Sequence, residues 1–223
     1  MVGEYRDGTG LHGFLYESGV WITLDKPGAT GTSVCGIDGG QVVGRYTVGG
    51  IDHGFLYEAG TWTTLDAPGA AGTSATKIDG GRIVGSYQDR GRNIGFLYEA
   101  GIWTTLDPPI ASRGTNVWGI DGDQIVGSYD DGLVGHGLLY EAGTWTTLDI
   151  DDSPPAHSHL GPCDIDGDQI VGYYSDTSGL HGFLATKGDL TSPVTVPVPL
   201  PGAMLLGMIG LGTAGWRLRH RTI

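Results

Sequence analysis

Apolar and polar positions alternate along this chain in short bursts rather than in long stripes. Runs such as Phe14-Leu15-Tyr16, Trp21-Ile22-Thr23-Leu24 and Ile83-Val84 are cut off within a few residues by glycine. Outside the extreme C-terminus, no window holds an apolar period of 3.6 for three turns. That argues against helix and for short strands of β-branched and aromatic residues. The turn signals agree. Ala59-Gly60 between the Phe55-Leu56-Tyr57-Glu58 and Trp62-Thr63-Thr64-Leu65 runs, and Asp79-Gly80 before Arg82, can supply the positive φ of a tight hairpin. Within Phe-Leu-Tyr and Ile-Val both strand faces are apolar, so each small sheet is expected to be packed on two sides.

The bursts recur in register. GFLYE starts at Gly13, Gly54 and Gly95, returns as GLLYE at Gly137 and decays to GFLAT at Gly182, giving spacings of 41, 41, 42 and 45 residues. Between copies come WxTLD at Trp21, Trp62, Trp103 and Trp145, IDG at Ile37, Ile78, Ile120 and Ile165, and VGxY at Val43, Val84, Val126 and Val171. Four strands in such a period predict an all-β, β-propeller-like repeat protein of four to five four-stranded blades. A β-solenoid or a stack of hairpins is the structural alternative. The repeat domain is expected over residues 1–189, with units near 13–53, 54–94, 95–136 and 137–181 and a partial unit at its end. Later copies place Val42, Ile83, Ile125 or Ile170 before the VG pair, where the first copy has Met1. We therefore expect the natural protein to begin upstream, with an IDG strand and an export signal; a stop codon just before Met1 in that frame would contradict this.

Composition narrows the class. With 42 glycines, six Trp and ten Tyr in 223 residues, the chain is neither collagen-like nor a disordered polyelectrolyte. A net charge of −13 excludes a nucleic-acid partner, which calls for clustered Lys and Arg, and suits cations or neutral partners. Cys35 and Cys163 are too few for a disulfide scaffold and lack the spacing of a zinc site. They hold equivalent repeat positions, but pairing is not expected.

The repeated polar residues are the visible candidates for chemistry. Asp38, Asp79, Asp121 and Asp166 precede the glycine turns, and Asp25, Asp66, Asp107 and Asp149 follow the Trp strands. Turn capping accounts for an Asp before Gly. The alternation Asp164-Ile165-Asp166-Gly167-Asp168 also offers hard oxygen ligands for calcium, the one cofactor the sequence suggests, although the twelfth-position glutamate of an EF-hand is missing. His12, His53, His136 and His181 share one repeat position, with Ile94 in the third copy. They are expected to be structural, each bonded to a neighbouring blade. Tyr46, Tyr87, Tyr129 and Tyr174 would serve as sugar-stacking surfaces if exposed. No nucleophile elbow or zincin motif occurs, so no catalytic residue is assigned.

The C-terminus differs in kind. Thr191 to Pro201 is a proline-rich spacer that cannot join a sheet ladder. Residues 202–216 are uncharged and apolar, near the lower limit for a single transmembrane helix when Leu200 and Pro201 are included. Arg217, Arg219 and Arg221 follow, a basic stop that the positive-inside rule places in the cytoplasm as the tail 217–223. A core helix is the alternative.

Val198-Pro199-Leu200-Pro201, an apolar glycine-rich segment and an arginine cluster, in that order, resemble the PEP-CTERM sorting signal of exported bacterial proteins in its VPLP variant. Within the 190–201 linker, the resemblance implies cleavage near Val198, Pro199, Leu200 and Pro201 by an exosortase, after transient anchoring in the inner membrane. The third motif residue is Leu200 rather than Glu. The repeats themselves, with His-Gly-Phe-Leu-Tyr at His12 and His53, its worn copy at His181, and Gly-Ile-Asp-Gly at Gly36 and Gly119, are similar to HAF repeats of extracellular bacterial proteins, with Gly in place of the Ala of that motif. Together they imply an exported, non-enzymatic protein of the cell envelope or exopolysaccharide matrix. The alternative is a lectin-like carbohydrate module, with or without calcium, and an enzyme on a propeller scaffold ranks third.

Overall fold

A computed structural model describes residues 1–149, 159–176, 178–190 and 196–197. Residues 150–158, most of the proline-rich linker, the expected sorting motif 198–201, the apolar segment 202–216 and the basic residues Arg217, Arg219 and Arg221 lie outside the described residues. No helix among those described is long and apolar enough to cross a membrane.

The described chain is all-β, its one helical element a single 3-10 turn at Lys187–Asp189. In order the strands are β1 Val2–Arg6, β2 Leu11–Glu17, β3 Val20–Leu24, β4 Gly31–Asp38, β5 Gln41–Val48, β6 Ile51–Glu58, β7 Thr61–Leu65, β8 Gly72–Asp79, β9 Arg82–Asp89 and β10 Arg92–Glu99. They continue with β11 Ile102–Leu106, β12 Gly114–Asp121, β13 Gln124–Asp130, β14 Gly135–Glu141, β15 Thr144–Leu148, β16 His159–Asp166, β17 Gln169–Asp176, β18 Gly179–Thr186 and the short β19 Val196–Pro197. β19 pairs with β15, which corrects the expectation that the proline-rich spacer joins no ladder: a two-residue strand at a sheet edge tolerates proline.

Neighbouring strands pair antiparallel in an up-and-down meander. β4 to β7, β8 to β11 and β12 to β15 each make a four-stranded unit, flanked by three-stranded units β1–β3 and β16–β18. Single parallel bridges, such as Leu11 to Gly31 and Asn93 to Gly114, link the next-to-last strand of one unit to the first strand of the next. The hydrogen-bonded sheets are thus phased half a period away from units counted between GFLYE motifs.

Local chemistry sets the hairpins. Ala59 and Gly60 take φ of 47° and 83°, the doubly left-handed turn that matches strand twist. After β8 the left-handed pair is Gly80 and Gly81 rather than Asp79 and Gly80. Asp79 is freed from its own turn and closes the last strand position. Its carboxylate Oδ2 accepts a hydrogen bond from the Gly122 amide of the next unit at 2.8 Å. Asp38 does the same for Gly80 at 2.8 Å and Asp121 for Gly167 at 2.7 Å. The expected capping role is therefore corrected: these aspartates clip each glycine turn to the turn of the preceding unit.

The core lies between units, not within them. Val43, Leu65, Ala75, Ile78, Ile83 and Phe96 fill one interface; Val84, Leu106, Val117, Ile120, Ile125 and Leu138 fill the next. A single meander has too little apolar mass to stand alone, and stacking supplies the missing face. The glycine of VGxY is dictated by close approach: a Cβ at Gly85 would sit 2.1 Å from the Ser74 carbonyl oxygen.

Candidate functional site

The repeated polar residues assemble into a repeated structural stack. The Tyr46 ring lies on the His53 imidazole with centroids 5.2 Å apart, and Tyr129 lies on His136 at 5.0 Å. His53 Nδ1 meets Asp66 Oδ2 at 2.9 Å, and His12 Nδ1 meets Asp25 Oδ2 at 2.8 Å. The histidines are structural, as expected, but their partners belong to the same unit rather than to a neighbour. Where Ile94 replaces histidine, Arg92 Nη2 reaches Asp107 Oδ2 at 3.3 Å and restores the ion pair. Hydrogen bonding to Asp25 and Asp149 raises the pKa of His12 and His136 respectively. Tyr46 and Tyr129 are 8% and 5% exposed, and their hydroxyls bond Thr64 and Thr147. These two tyrosines are core residues, which removes them as sugar-stacking surfaces.

The first strand of each unit from β4 onward behaves differently. Its register slips once, at Cys35 in β4, Thr76 in β8, Trp118 in β12 and Cys163 in β16. A β-bulge inserts an unpaired residue and re-aims its side chain. All four bulge residues line one cavity of about 510 Å³, within the roughly 300–1,000 Å³ of small-molecule sites. Four first strands thus converge on one space. Lys77 Nζ on β8 also pairs with Asp164 Oδ2 on β16, bridging two strands separated by a whole unit.

Apart from Asn116 on β12, the rest of the lining comes from the junction of the β4–β7 and β8–β11 units. Arg45, Ile51, Asp52, Ser74, Gln88, Asn93 and Asn116 contribute polar and apolar surface beside the indole of Trp118, which is 41% exposed. Arg45 Nε stands 3.6 Å from Asp52 Oδ2, and Asn93 Nδ2 donates to Asn116 Oδ1 at 2.9 Å. Several of these positions break the repeat. At the variable position of VGxY the copies read Glu4, Arg45, Ser86, Ser128 and Tyr173, and at the bulge Cys, Thr, Trp and Cys. Sequence reasoning passes over them when it weighs residues that repeat and motifs that catalyse. Comparing the copies column by column would find them.

The two cysteines do meet the same cavity, each as a free thiol. Burial is the main cause that pushes both thiols above their ordinary pKa, which makes them weak nucleophiles. Of the suggested calcium ligands, Asp164 is engaged by Lys77, while Asp166 and Asp168 flank the following glycine turn. Among the described residues no three His, Cys, Asp or Glu side chains group as a metal site.

No protein-family model matches the chain, and no curated protein sequence matches it. Its structure is similar to a fucose-specific lectin from Aleuria aurantia in a mercury-derivative form, at 17% identity and a TM-score of 0.50, over 86% of this chain and 72% of the lectin. It is also similar to TolB from Acinetobacter baumannii, at 12% identity and a TM-score of 0.48, over 85% of this chain and 55% of TolB. The likeness to the lectin speaks for a propeller-type fold and for nothing finer.

Proposed function

We propose that this chain is a non-enzymatic, lectin-like module of four to five propeller blades that binds carbohydrate at the bacterial surface or in an exopolysaccharide matrix. One observation carries the reading. Residues that break the repeat gather in a single cavity, where amides, a guanidinium and a carboxylate surround an accessible indole. That combination suits a sugar, whose ring face packs on an aromatic surface while its hydroxyls exchange hydrogen bonds with planar polar groups. Fucose specificity belongs to the Aleuria aurantia lectin; for this chain it adds only that a similar fold can carry a sugar site. A glycan array probed with the full chain, with and without calcium, tests the reading. Binding lost in Trp118→Ala supports it, and an array without any bound glycan overturns it. Calcium held by Asp164, Asp166 and Asp168 would show as binding lost on chelation.

Export is the second part of the proposal, and it rests on the C-terminal sequence. Val198-Pro199-Leu200-Pro201 would be the exosortase cleavage motif, residues 202–216 the transient inner-membrane anchor, and Arg217, Arg219 and Arg221 the cytoplasmic stop. Mass spectrometry of the natural protein's C-terminus tests this. A chain ending near Val198 to Gly202 supports processing, and one ending at Ile223 in a soluble cytoplasmic fraction contradicts it.

A further inference from the structure

The cavity holds a buried donor without an acceptor. In the first junction, Glu4 on β1 accepts the hydroxyl of Ser33 on β4. In the next junction the equivalent pair is Arg45 on β5 and Ser74 on β8, and the acceptor has become a second donor. Ser74 Oγ is buried without a hydrogen-bond partner among the described residues, a state that costs free energy unless something satisfies it. In the third junction Ser86 Oγ accepts the Val117 amide at 3.2 Å, and among the described residues Ser74 Oγ is the one buried side-chain oxygen without a partner. The Arg45 side chain makes one ion pair among the described residues, with Asp52 through Nε at 3.6 Å, and no hydrogen bond among them engages its terminal nitrogens. Asn116 spends its carbonyl oxygen on Asn93 and keeps its NH₂ for the cavity.

We infer that the cavity recognises a sugar bearing a carboxylate, such as a hexuronate, with the carboxylate received by Arg45 and Ser74 and the ring laid against Trp118. The inference rests on the carbohydrate-binding reading and narrows it. A guanidinium fork matches a carboxylate in bidentate geometry, and the Ser74 hydroxyl supplies a further donor to the same anion. Asp52, whose Oδ1 already accepts the Thr47 hydroxyl at 2.7 Å, remains available to a sugar hydroxyl. The net charge of −13 on its own suits cationic or neutral partners. Local donors override that average at contact distance, because screening confines the rest of the protein's field to about 8 Å at physiological salt.

Isothermal titration of the full chain with disaccharides of galacturonate, glucuronate and mannuronate, each alongside its methyl ester, tests the assignment. At least one acid is expected to bind about tenfold tighter than its ester, the scale of a charge-assisted hydrogen bond. Arg45→Gln should erase that difference, and Ser74→Ala should reduce it. The acid-to-ester comparison in the unmodified chain needs no variant to fold. Esters that bind as tightly as their acids, or neutral glycans bound in preference, overturn the carboxylate assignment and leave the carbohydrate reading standing. If no sugar binds in any form, both fall.

Discussion

Two parts of the molecule are built from the same repeat and follow opposite rules. In the Tyr–His–Asp stacks and the interlocked glycine turns the copies keep their residues, and a lost one is replaced in kind, as Arg92 replaces the imidazole missing at Ile94. Around the bulges the copies diverge, from Cys35 to Thr76 to Trp118, while the backbone distortion that presents them is constant. Repeated residues either hold one unit together, as the stacks do, or lock it to the next, as the turn clips do. A binding site needs several different side chains in one place, so it arises where the copies stop agreeing.

Substitutions in the two parts should therefore separate stability from binding. The largest loss is expected in the repeated interface. Phe96 is fully buried between units, and Phe96→Ala should cost about 3–5 kcal/mol in denaturant unfolding. Asp79→Ala removes one turn clip and should cost about 0.5–1.5 kcal/mol, the Gly122 amide exchanging faster with solvent deuterium. Next comes a pH effect in the stacks. The His136 pKa is raised in the folded state, chiefly by its bond to Asp149. Its contribution is full below the unfolded value of about 6.5 and is lost as pH rises through the folded value. The melting temperature should fall over that window, and His136→Phe should flatten the slope. Smallest of all, Arg45→Gln and Trp118→Ala in the cavity should change stability by no more than about 0.5 kcal/mol, while Trp118→Ala removes glycan binding and Arg45→Gln removes the preference for the acid. If either melts as early as Phe96→Ala, the division between the two parts is wrong.

The fold is legible in the sequence because every strand of the repeat announces itself several times, with its turn beside it, whereas β19 lies in the proline-rich spacer and carries no such signal. The stacks are half legible: His and Asp recur at fixed spacing, but that spacing does not say that His53 meets Asp66 in its own unit. The carboxylates of Asp38, Asp79 and Asp121 read as local caps because sequence neighbours are easier to see than an amide some forty residues away. Asp164 resembles a calcium ligand for the same reason; its partner is Lys77, far off in sequence and brought near by the convergence of first strands. The cavity escapes the sequence because its residues carry no motif. Arg45, Asp52, Asn116 and Trp118 become a group only once the strands have converged and the bulges have re-aimed their side chains.

The central claim is that the divergent residues bind and the repeated ones do not. Nuclear magnetic resonance can observe the indole N–H signals of the chain during titration with the uronate disaccharides. The account predicts saturable movement of the Trp118 signal, with those of Trp62, Trp103 and Trp145, which pack in the repeated interfaces, unmoved. Movement confined to the repeated tryptophans, or no saturable change at Trp118, would contradict it.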